Sequence, residues 1–132
     1  MIDWSKIKYF SKSELMCSCG CGKADMNEEF MLALDKLREE YGHPVFLSSG
    51  YRCPEHNAAI GGVKGSYHTL GVAVDISVYG KYAYEILGHI FDMGFEGVGI
   101  AQKGPYNKRF IHIDKGFLAN SQTKKRPAVF TY

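Results

Sequence analysis

Nowhere do the 132 residues run through the roughly 20 consecutive apolar positions that a membrane-spanning helix needs. The opening Met-Ile-Asp-Trp-Ser-Lys-Ile-Lys also lacks the apolar segment of a secretory signal, which predicts a chain that starts life in the cytoplasm. Charge of one sign is scarce as well. The net charge of +2 is too small to predict a nucleic-acid partner, and at most favours approach to an anionic polymer. Repeats and low-complexity stretches are missing, and the length leaves no room for a second core, so residues 1–132 read as one domain.

What is present is an ordinary globular balance, 45% hydrophobic and 23% charged. Nine Tyr and eight Phe predict an aromatic interior, and fifteen Gly predict many tight turns. Four cysteines stand at 17, 19, 21 and 53, in a C-x-C-x-C cluster plus one distant partner. That is not the common C-x2-C knuckle, and three states remain open for them: a structural metal held by thiolates, a disulfide from Cys53 to one of the others, or free buried thiols.

Periodicity divides the chain into alternating helices and strands. Phe30, Ala33, Leu34, Leu37 and Tyr41 recur at helical spacing after a capping Asp25 or Asn27, and Gly42-His43-Pro44 ends that helix. Val45 to Ser48 reads as a short strand, and Pro54 to Ile60 as a short helix opened by its proline. A second long helix is predicted over about Tyr82 to Met93, stopped by Gly94. Val72-Ala-Val-Asp-Ile-Ser, the Gly-punctuated Phe95 to Ala101 and Phe110-Ile-His-Ile-Asp read as strands. The sum is an α+β fold with a small antiparallel sheet and flanking helices.

Two of those strands carry a chemical anomaly. Asp75 lies among Val, Ala and Ile, and His112 and Asp114 alternate with Ile111 and Ile113; such groups are costly in a core unless something pairs them. If the strands pair, Asp75 and His112 share a sheet face, and His68 reaches the same point through the turn at Gly71. Two imidazoles and a carboxylate with an open fourth position match a catalytic zinc site with bonds of about 2 Å.

Three segments in order resemble the M15 zinc peptidases, a family that includes D-alanyl-D-alanine carboxypeptidases, dipeptidases and phage endolysins. They are Ser49-Gly-Tyr-Arg-Cys-Pro-Glu-His-Asn, Ser66-Tyr-His-Thr-Leu-Gly-Val-Ala-Val-Asp and Phe110-Ile-His-Ile-Asp, and the likeness runs from about Tyr9 to Gly116. The resemblance implies the Hedgehog/D-Ala-D-Ala peptidase-like fold, with Zn2+ held by His68, Asp75 and His112. It also implies that Arg52 binds or polarises the substrate and that Ser66 lines the pocket. The expected partner is a peptidoglycan stem peptide, cut by a monomer without nucleic acid or membrane, acting at the cell wall once released or carried by a phage particle. A zinc-containing binding module of the same fold is the competing expectation.

One departure from the family stands out. Its best-known members carry an acid three residues before the last histidine, where this chain has Arg109. Two carboxylates are substitutes for the general base: Asp114 first, which could instead orient a histidine, and Glu96 second. His43 and His89 read as turn and helix-surface residues, His56 as a solvent-exposed helix residue with a place at the pocket's border as the alternative, and Lys124-Lys-Arg as a solvated basic run.

Overall fold

The computed structural model describes residues 1–121 and 123–132. Four α-helices occur in chain order: α1 (Lys12–Leu15), α2 (Glu28–Tyr41), α3 (Pro54–Ala59) and α4 (Gly80–Asp92). Five strands accompany them: β1 (Phe46–Ser49), β2 (Ala73–Ser77), β3 (Gly97–Ala101), β4 (Phe110–Asp114) and β5 (Ala128–Thr131). The helix α2 starts where the sequence places it, because the Asn27 side chain accepts the Phe30 N–H at 2.9 Å. It ends at Gly42, whose φ of +82° is the left-handed cap that glycine adopts without penalty. Helix α4 begins two residues earlier than the periodicity predicts, at Gly80.

The strands form one sheet in the order β1-β2-β4-β3-β5. It is mixed rather than wholly antiparallel: β1, β2, β4 and β3 pair antiparallel, while β5 lies parallel to β3. The reason is the path of the chain. Strand β4 ends opposite the start of β3, and the chain turns through a 3-10 segment at Gly116–Ala119 before re-entering beside Gly97 at the same end of the sheet.

Alternation gives the sheet two unlike faces. Val74, Ile76, Val98, Ile111 and Ile113 turn into the core, where they join Phe30, Leu34 and Leu37 of α2 and Ile86 and Ile90 of α4. Phe30 meets Phe95 edge-on, with ring centroids 6.2 Å apart. The other face carries Asp75 directly opposite His112, and Ala73 opposite Asp114. A buried Asp35 on α2 ties down the N-terminal arm by accepting the N–H groups of Lys8 and Tyr9 at 2.6 and 2.9 Å. No helix among the described residues is long and apolar enough to cross a membrane.

Candidate metal centre

Cross-strand pairing brings Asp75 and His112 side by side, and the Ser66–Gly71 turn delivers His68 to them. The turn depends on Gly71, at φ +71°, because a Cβ there would overlap the Asp25 carbonyl. Asp75 Oδ1 lies 3.0 Å from His112 Nδ1 and 3.3 Å from His68 Nε2. Two donors bound tetrahedrally at about 2 Å stand roughly 3.3 Å apart, so this spacing fits one shared cation. His68, Asp75 and His112 form one of the groups of side chains able to hold a metal ion.

The nitrogens facing that point are the ones a metal would take up, in place of the hydrogen bonds they make to Asp75. His68 commits Nδ1 to the Gly50 carbonyl oxygen at 2.9 Å, which leaves Nε2 turned toward Asp75. His112 uses Nε2 on Asp114 Oδ2 at 2.7 Å, which leaves Nδ1. Both imidazoles therefore have the outer partner that fixes a ligand's tautomer and ring orientation.

Asp114 is completely buried, and a second group holds it. Arg126 donates from Nε to Oδ1 at 2.9 Å and from Nη2 to Oδ2 at 2.8 Å, a two-pronged clamp. The basic run is thus not wholly solvated: its arginine is half-buried against the site. Room for this cluster comes from β3, where Gly97 faces Asp114 and Gly99 faces His112. A Cβ on Gly97 would overlap the Asp114 carboxylate, and one on Gly99 would overlap the Phe130 ring.

The charges answer to this packing in the metal-free chain. Burial works to raise the pKa of Asp75, but hydrogen bonds from His112 and His68 outweigh it and hold the carboxyl well below the usual range. At Asp114 burial is likewise overcome, by His112 and Arg126, and the net direction is down. For His112, burial favours the neutral ring, yet its bonds to Asp114 and Asp75 pull the pKa upward.

A cavity of about 570 Å³ opens over the three donors. Arg52 and Ser66, for which the family resemblance implies substrate contacts, both line it. The Arg52 guanidinium is held by Asn57 Oδ1 at 2.9 Å and Ser49 Oγ at 3.4 Å. Ser66 is buried, and its Oγ accepts the His68 N–H at 3.3 Å. The two carboxylates weighed as general base lie elsewhere or are engaged. Glu96 does not line the cavity; its carboxylate accepts the Phe117 N–H at 3.3 Å beside a neighbouring hollow with Lys124 and Lys125. Asp114 lines the cavity, but both its oxygens are committed to Arg126 and His112.

A family model for Peptidase M15 matches residues 8–114. The chain belongs to that family. Its peptidases are metallo-enzymes, in keeping with the donor cluster just described. No curated protein matches the chain. The M15 match stops at Asp114, so Arg126, Phe130 and Tyr132, which wall the cavity from the C-terminal side, lie beyond it. Sequence reasoning passed over these three. The available signal for Arg126 was Asp114 itself, since a carboxylate on a buried strand needs a cation and Lys124-Lys-Arg is the next basic run.

Proposed function

We propose that this M15 chain is a zinc peptidase that hydrolyses peptide bonds in bacterial peptidoglycan stem peptides, with His68, Asp75 and His112 as the zinc ligands. The observation that carries the reading is a convergence: each histidine is tied down at one ring nitrogen and turns the other onto the same Asp75 oxygen, beside an open cavity. Zinc bound there supplies Lewis-acid polarisation of a carbonyl and acidifies water.

The remaining work falls to the chain. Asp114 keeps the proton on His112 Nε2 and is itself kept ionised by Arg126, so its role is to orient the ligand rather than to accept a proton from substrate. Arg52, steadied by Asn57 and Ser49, presents a charged fork to the cavity. A stem peptide offers a carboxylate or a scissile carbonyl that suits such a fork. Phe130 and Tyr132 add aromatic surface to the cavity lining, against which the apolar parts of a peptide can pack.

A specific observation keeps a second reading in view. Asp75 and Asp114 are the only carboxylates lining the cavity among the described residues, and neither is free to act as a general base. A zinc-containing module that binds wall peptides without cutting them fits that fact. One experiment separates the two: quantify bound metal, then incubate wild type and His112→Ala with purified peptidoglycan and follow newly released amines. Hydrolysis by wild type and none by the variant supports the peptidase. Bound zinc with no hydrolysis and retained peptidoglycan binding supports the module, and no bound metal removes both.

A further inference from the structure

The second group of potential metal donors stands apart from the first. Cys17, Cys19, Cys21 and Cys53 bring their sulfurs together, and all four are free thiols. The Cys17–Cys19, Cys17–Cys53 and Cys19–Cys53 sulfur distances are 3.5, 3.7 and 3.6 Å. Thiolates bound tetrahedrally at about 2.3 Å sit roughly 3.8 Å from one another, so the spacing suits a common ion, and it is far too long for a bond between any two.

The convergence is built by the backbone. Gly20 and Gly22 take φ of +87° and +77°, which folds the C-x-C-x-C segment into a loop instead of a strand. The loop is closed by Cys17 N–H donating to the Lys23 carbonyl at 2.9 Å. Cys53 is the N-cap of α3, and its sulfur accepts the His56 N–H at 3.4 Å, while Cys53 N–H points at Cys17 Sγ at 3.4 Å. Backbone donors aimed at sulfur favour thiolate over thiol.

We propose that Cys17, Cys19, Cys21 and Cys53 hold a second zinc ion as a four-thiolate structural centre. Thiolates crowded this closely repel, and a bound dication removes that repulsion. Soft sulfur ligands in a tetrahedral set select zinc or iron, and a closed set of four leaves no position for substrate.

The centre has a task in this fold. Cys53 follows Arg52 directly, and α3 supplies the Asn57 that holds the guanidinium. Clasping Cys53 to the N-terminal loop fixes the segment that presents Arg52. Ser18 reinforces the clasp through its hydroxyl contact with His56 Nε2 at 3.1 Å.

Elemental analysis of the full chain, purified without chelator, tests this directly. Two zinc ions are expected per wild-type chain, one in His112→Ala and one in Cys19→Ser/Cys21→Ser. Cobalt-substituted wild type, which needs no variant to fold, is expected to show intense sulfur-to-cobalt charge-transfer absorption that persists in His112→Ala. A wild type that carries no metal beyond what His112→Ala loses overturns the proposal. So does iron in place of the second zinc, a native chain whose four thiols all react freely with a thiol reagent, or a mass showing the loss of two hydrogens to a disulfide. Failure of the histidine site alone leaves the cobalt–thiolate signal in place, so the two metal readings fall separately.

Discussion

Asp114 shows how much of the site depends on one side chain that never faces solvent. Its carboxylate accepts from His112 on one side and from Arg126 on the other, and so converts a charge on the last loop into the tautomer of a metal ligand. Asp114→Asn is expected to keep the fold but to weaken metal binding about 10- to 100-fold, the usual effect of losing a ligand's outer partner. Competition with a chromophoric chelator measures this, and unchanged affinity would sink the orienting role of Asp114. The sequence exposed Asp75, His112 and Asp114 through the cost of polar groups on apolar strands. It left Arg126 hidden, since an arginine between two lysines and a proline has no periodicity to betray which way it turns.

Strand β3 contributes to the site by what it omits. Gly97 and Gly99 stand opposite Asp114 and His112, and their missing side chains are the space that the carboxylate and the Phe130 ring fill. Replacing glycine by alanine within a strand ordinarily stabilises it by about 0.5–1 kcal/mol. Here the sign reverses: Gly97→Ala is expected to destabilise by about 1–3 kcal/mol, the cost of overpacking, and to lower metal affinity with it. Urea unfolding of the metal-free protein, alongside the chelator titration, checks both parts. Helix α2 is legible because apolar period and capping residue agree, and strands β2 and β4 because apolar residues alternate with others along each. The pairing of β5 is not, since a four-residue run has no pattern that distinguishes a parallel from an antiparallel neighbour, and the turn at one end of the sheet decides it.

At the scale of the whole molecule, metal and fold are linked through ligands drawn from far apart in the chain. His68 comes from a turn, Asp75 from β2 and His112 from β4, so binding favours only the native arrangement. Free zinc at 100 times its Kd adds about 2.7 kcal/mol to the native state by mass action. For a domain of this size that is a rise of roughly 10 °C in Tm, which scanning calorimetry with and without chelator would register. An unmoved Tm would argue that no tight site exists. The segment Ser49 to Cys53 lies at the junction of these linkages: the Gly50 carbonyl sets His68, Arg52 enters the cavity and Cys53 joins the thiol cluster. A last consequence comes from β5, whose Phe130 and the following Tyr132 form part of the cavity wall. Tyr132 is largely exposed as well as lining the cavity, so a purification tag, linker or fused partner attached at that residue starts beside the site and can narrow its entrance.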